Sequence, residues 1–221
     1  GINGMCSLDI TKLETAYLLL EGSLTFTWDK QSFNAERGNI FEQSPYALHC
    51  PNKTTINIQA HTDSEIAIIS TPNTAKFTPM FFNNDNLASN EQKGQNIVNK
   101  STIHNVRTIF DNNNRLGANL VLGEIITPSG NWSNYPPQYH PQPKIHHYRF
   151  SQAQGYGITE LNNIFIKNQQ YTTIKILDNM PHSNAVAPGY TMYHIWAIRH
   201  LPNKPYNNTT LVKEHSWIEG K

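Results

Sequence analysis

Cysteine, charge and long apolar runs are all scarce in this sequence. Its 221 residues include two cysteines, Cys6 and Cys50. Two are too few for a disulfide framework, so both are read as structural thiols and the fold must rest on a packed core. A chain of this length buries such a core without covalent staples, as one large domain or two small ones. Asp, Glu, Lys and Arg make up 15% of the residues and leave a net charge of +1, against a usual charged share of about 25%. There is no basic excess of the kind that binds nucleic acid or an acidic membrane surface. No stretch approaches the ~20 apolar residues of a membrane span. No basic segment leads into an apolar one at the N-terminus, so no secretion signal is read and a cytoplasmic location is expected. In place of charge the chain carries uncharged polar residues, Asn above all. Sequons such as Asn52-Lys53-Thr54 and Asn131-Trp132-Ser133 are read as chance matches in an Asn-rich chain. With 13 Pro and 12 Gly spread along the chain, composition does not indicate disorder.

What is present has the period of β-strands. Thr55 to Ala60 alternates apolar and polar, as a half-buried strand does. Glu65 to Ile69, Leu120 to Ile126, Tyr156 to Leu161, Thr173 to Leu177 and Met192 to Ala197 are runs of the same kind. Ala16 to Leu20 and Leu24 to Trp28 flank Glu21-Gly22-Ser23 and predict a hairpin. No helix of three turns is legible. Many short strands with frequent turn signals predict an all-β sandwich or barrel. The polar stretch from Asn83 to Asn99 predicts a linker between two β-rich halves, residues 1–90 and 91–221. The halves echo each other: Pro45-Tyr46 and Pro181-His182 stand at matching places before a strand. A duplicated barrel with its chemistry kept in one copy has this pattern.

The densest chemistry lies between Tyr135 and Phe150, where His140, His146 and His147 fall among prolines. The prolines hold the approach extended and prevent a helix. On the strand that follows, alternate residues share a face. Lys144, His146 and Tyr148 then point one way, and Ile145, His147 and Arg149 the other. With His182 on a separate turn, imidazoles from different elements can converge as a first-row metal requires. The bland alternative is a set of surface or hydrogen-bonded histidines. His49, His61, His200 and His215 have no partner in sequence and are left in that class.

Gly123 to Pro137 resembles the hallmark segment of the 5-deoxy-glucuronate isomerase family of inositol catabolism. Tyr148-Arg149-Phe150, Gln154 to Gly157, Ala187 to Tyr193 and His215 to Ile218 continue the likeness in order, and Phe41-Glu42, Pro45 to Leu48 and Ser64 to Ala67 extend it into the first half. The resemblance implies a bicupin, two cupin-type (double-stranded β-helix) barrels in one chain, with residues 1–90 as the barrel without metal and 91–221 as the barrel with the site. It implies a divalent metal (Zn, Mn, Ni or Fe) on three His and one Glu. Those positions fall here on Gln138, His140, Lys144 and His182. An amide is a weaker ligand than imidazole, and a protonated amine repels a dication. His146, on the same face as Lys144, can stand in as a ligand, giving His140, His146, His182 and Gln138. Alternatively, Lys144 itself supplies the positive charge for a sugar carboxylate.

The implied reaction is an aldose–ketose isomerisation of a sugar acid, in which a metal polarises the carbonyl and a base moves a proton through an enediol. His146, Tyr148 and Lys144 are the catalytic candidates, with His147 and Glu160 as further possible bases. Arg149, Trp132 and Tyr135 are the substrate-binding candidates, although strict alternation turns Arg149 away from Lys144. The alternative is a bicupin that binds a sugar acid without turnover. The partner expected is a small sugar acid, neither nucleic acid nor membrane, with homo-oligomerisation left open.

Overall fold

The computed structural model describes residues 5–10 and 13–219, with side chains from Leu13 to Ile218. The side chain of Cys6 lies outside the described residues, while Cys50 is a buried free thiol whose pKa burial pushes up to about 12. Strands dominate, and the helices among the described residues are two 3-10 segments, Val98–Lys100 and Lys213–Glu219. No helix is long and apolar enough to cross a membrane. The chain forms two compact units. One runs to Ala88 and includes Ile109–Leu120; the other takes Ser89–Thr108 and continues from Val121.

The first unit holds β1 (Met5–Ile10), β2 (Leu13–Trp28), β3 (Gln31–Arg37), β4 (Tyr46–Cys50), β5 (Thr54–Ala60), β6 (Glu65–Pro72) and β7 (Met80–Phe82). They form one sheet of order β1-β5-β2-β4-β7, with β3 and β6 also paired to β2. The expected hairpin at Gly22 is a single long strand instead. Leu13 to Glu21 pairs with β6, and Gly22 to Trp28 pairs with β3. Gly22 has φ +106°, and a Cβ there would lie 2.2 Å from Ser64 Oγ. The glycine therefore bends a continuous strand against its neighbour rather than reversing it. The reversal comes at Asp29 and Lys30, between β2 and β3.

The alternating face of these strands fills the interior. Tyr17, Leu19, Leu24, Phe26, Leu48, Ile56 and Ile58 pack together, with Tyr46 and Phe81 against them. Each such fully buried side chain stabilises by about 1.5–3 kcal/mol. The cluster they form is apolar. One buried polar knot lies at its side. His49, assigned no partner from sequence, donates from Nε2 to Glu14 Oε1 at 2.8 Å and accepts at Nδ1 from Arg115 Nε at 2.8 Å. Glu14 also accepts from Asn73 Nδ2 and from the backbone N–H groups of Asn119 and Leu120. Burial pushes the Glu14 carboxyl up, but His49, Asn119 and Asn73 outweigh it and hold the carboxyl below its usual value. Every donor and acceptor there is used, so the knot is a structural pin. Glu14→Ala would strand the His49 Nε2–H and two buried backbone donors, at a cost of about 3–5 kcal/mol. Urea unfolding of the variant followed through the first unit measures that loss.

The second unit comprises β8 (Ser89–Lys93), β9 (His104–Phe110), β10 (Leu120–Thr127), β11 (Trp132–Tyr139), β12 (Lys144–Phe150) and β13 (Tyr156–Leu161). It continues with β14 (Ile164–Gln169), β15 (Thr173–Ile176), β16 (His182–Val186), β17 (Met192–Arg199) and β18 (Thr210–Leu211). One sheet has the order β15-β12-β17-β10-β9-β8 and the other β14-β13-β16-β11-β18. The expected linker contains β8, which pairs with β9 at the edge of the first of these sheets. Its sequence, Ser-Asn-Glu-Gln-Lys, is polar because an edge strand meets water on its outer side. Tyr46 and His182, matched in sequence, each open a strand.

Candidate active site

Antiparallel pairing of β12 with β17 sets Lys144 opposite Ile198, His146 opposite Trp196 and Tyr148 opposite His194. Residues directly opposite share a face, so Lys144, His146 and Tyr148 point inward as their alternation predicts. The second sheet brings in His182, opposite Gln138 in the pairing of β16 with β11. Four imidazoles form a chain: His140 to His182 at 6.1 Å between ring centres, His182 to His146 at 5.8 Å, and His146 to His194 at 4.6 Å.

Hydrogen bonds set the tautomers of two of these rings. Tyr148 donates its hydroxyl proton to Asn184 Oδ1 at 2.7 Å. It can then only accept from His146 Nδ1, at 3.1 Å. His182 donates Nδ1–H to the Met180 carbonyl at 3.0 Å. In both rings Nε2 is left bare, buried and without a partner. Burial is the main cause that lowers all four imidazoles, and the Lys144 charge adds to it. His140 and His194 fall to about 3, and His146 and His182 lie well below the ordinary value. All four are neutral at pH 7. Burial likewise pushes the Lys144 ammonium down to about 7.

Above this cluster lies a cavity of about 470 Å³. Lys144, Gln138, Tyr135 and Asn134 line it together with Tyr206 and Thr209, and Trp196, Ile198, Val106 and Ile125 give it an apolar wall. Trp196 lies over Gly123, where a Cβ would come within 2.4 Å of the indole. His104 also lines the cavity. It donates Nδ1–H to the Thr102 carbonyl at 2.8 Å, which leaves Nε2 as a lone-pair acceptor. Burial, with the nearby Lys93 charge, lowers its pKa.

Of the residues singled out from sequence, Lys144, Gln138 and Tyr135 line this cavity. His140, His146 and His182 do not line it. Tyr148 sits in the apolar core of the unit, with its hydroxyl bonded to Thr159 and Asn184. Burial raises its pKa further, so it stays a neutral hydroxyl that orients His146 by accepting from its Nδ1–H. Trp132 packs against Tyr135 at 5.2 Å without reaching the cavity. Arg149 faces the other side of the sheet, 3.8 Å over the Tyr171 ring, and donates to His147 Nε2. Its guanidinium is held there by Tyr171 and His147 and does not line the cavity. Sequence reasoning missed His104, His194 and Trp196. Alternation along Met192 to Ile198 carried the signal for the last two, because His194 and Trp196 share one face. Nothing local marked His104, which reaches the cavity only through the strand order β10-β9.

Whether these groups suit a divalent ion depends on their chemistry. The bare Nε2 atoms of His146 and His182 are of the right kind. So are the ring nitrogens of His140, both buried and without a partner. The other two matched positions are not. The matched positions hold an amide, Gln138, and an ammonium, Lys144, and supply no carboxylate to balance a dication. Among the described residues, no three His, Cys, Asp or Glu side chains gather closely enough to hold an ion. The expected quartet of His140, His146, His182 and Gln138 is therefore not assembled as a metal site among the described residues, and the lysine beside it would repel a dication.

The sequence profile of the KduI/IolB family matches residues 3–218, and the chain belongs to that family. A 5-deoxy-glucuronate isomerase from Bacillus licheniformis is 26% identical over 95% of this chain and 81% of its own length. An IolB-like protein from Salmonella typhimurium LT2 superposes with a TM-score of 0.88 at 17% identity, over 99% of this chain and 86% of that one. A cupin 2 conserved barrel domain protein from Leptotrichia buccalis gives a TM-score of 0.53 at 12% identity, over 90% and 79% of the two chains. The architecture is that of a bicupin, as the family resemblance implied.

Proposed function

We propose that this member of the KduI/IolB family is a sugar-acid aldose–ketose isomerase of the 5-deoxy-glucuronate type, belonging to inositol catabolism, and that the cavity over Lys144 is its active site. One observation carries the reading. In a chain whose relatives bear that enzyme's name, one polar cavity holds a buried cation, a neutral imidazole with a bare nitrogen, and several hydroxyl and amide groups. A polyhydroxylated acid needs these groups, and an isomerisation needs the base.

The reaction moves one proton between neighbouring carbons. His104 Nε2 takes the proton from carbon 2 of the aldose, and an enediol forms. The same imidazolium returns the proton to carbon 1, while a hydroxyl proton crosses from the oxygen on carbon 2 to that on carbon 1. No electrons enter or leave the substrate. Asn134, Gln138, Tyr135 and Tyr206 supply donors for the sugar hydroxyls and for the charge that develops on the enediol oxygens. The wall of Trp196, Val106 and Ile125 keeps bulk water from the reacting carbons. The purified chain is expected to interconvert 5-deoxy-glucuronate and its ketose isomer. Proton NMR of the mixture reads this, with one sample containing chelator and others supplied with Zn, Mn, Ni or Fe. Absence of turnover in every sample would overturn the reading and leave a binding protein.

A further inference from the structure

Lys144 is 6% exposed. It forms no ion pair among the described residues, and none of the residues lining its cavity is Asp or Glu. The other lining lysine, Lys93, differs on both counts: its side chain is 51% exposed and lies 3.4 Å from Glu91. The nearby arginines are also committed, Arg107 to Glu124 at 2.9 Å and Arg149 to the far side of the sheet. A buried cation without an anion is costly to keep unless a ligand completes it.

We propose that the Lys144 ammonium is the carboxylate anchor of this cavity, gripping the acid group of the sugar acid at the position where the family pattern has a metal-binding Glu. This rests on the isomerase reading for the identity of the ligand, but not for the presence of an anion site. The sheet order β12-β17-β10-β9 sets Lys144 and His104 three strand spacings apart, about 14 Å between backbones. Both side chains reach into the space between. A substrate held by its carboxylate at Lys144 therefore lays its far end toward His104, with the Trp196 indole beneath the carbon chain. Lysine thereby selects acids over neutral sugars, and it fixes which end of the substrate meets the base.

Titration calorimetry with D-glucuronate and its neutral amide, D-glucuronamide, tests this. The intact protein is expected to bind the acid at least about tenfold more tightly than the amide, as a charge-assisted hydrogen bond implies. Lys144→Met removes the charge but keeps most of the side-chain length, and should bind the two probes alike. Lys144→Arg should restore the preference. If Lys144→Met still favours the acid, or if the unaltered protein does not favour it, the anchor is overturned; the second result needs no variant to fold. The two readings fail separately. Acid preference lost in Lys144→Met, in a protein without isomerase activity, keeps the anchor and removes the isomerase. Turnover with unchanged KM in Lys144→Met does the reverse.

Discussion

His104→Asn is expected to lower kcat for the isomerisation by about a hundredfold to ten-thousandfold, the range for loss of a general base, with KM changed by only a few-fold. Asparagine can still donate an N–H toward the Thr102 carbonyl, which now receives Nδ1–H at 2.8 Å. It has no lone pair where Nε2 stands. The change thus removes the proton acceptor while keeping the tether. His104 is neutral at pH 7 because burial, with help from Lys93, lowers its pKa below 6.5. The kcat profile should accordingly stay flat as pH falls through 6.5 and drop only below it. His146→Asn is the comparison, since His146 lies beneath the cavity without lining it. Steady-state kinetics of both variants decide the matter. A His104→Asn enzyme within tenfold of the original kcat, or a larger loss from His146→Asn, would move the base elsewhere.

The parts of this molecule that were legible in the sequence are those governed by local period. Ile56 and Ile58 alternate with polar neighbours and form a half-buried strand. The Lys144, His146 and Tyr148 face was readable for the same reason, as was the turning away of Arg149. Gly22 was misread because a glycine between two apolar runs signals a turn equally well as a bend. Only Ser64 packed against its backbone distinguishes the two. The polar β8 was misread because an edge strand and a linker have the same composition. The site was harder for a further reason. His104 and Lys144 lie on strands that are not neighbours in the sheet, and no spacing along the chain encodes that distance. Buried knots behave likewise: Glu14, His49 and Arg115 are joined across 101 residues of sequence by hydrogen bonds that no pattern announces.

The second unit is expected to lose most of its stability between pH 8 and pH 5.5. Free imidazole titrates at 6.5, and burial holds His140 and His194 down to about 3 and His146 and His182 well below 6.5. Below 6.5 the unfolded chain binds protons at these four positions that the folded unit does not. Stability therefore rises with pH through this window: the contribution is complete above 6.5 and is lost as pH falls toward the folded values. One unit below 6.5, each group costs on the order of 1 kcal/mol, so the four together cost roughly 5 kcal/mol. That equals the whole stability of a marginal domain. Lys144 acts with the same sign at higher pH. Its folded value of about 7 lies below the free value of 10.5, so folding is disfavoured increasingly as pH falls from 10.5 to 7. Thermal unfolding of the ligand-free protein should show Tm falling steadily from pH 9 to pH 5.5. His194→Phe keeps an aromatic ring beside His146, now at 4.6 Å, and removes one titration, so it should reduce the loss below 6.5 by about a quarter. A Tm that stays level or rises on acidification would mean that water or a bound ion already satisfies the bare ring nitrogens.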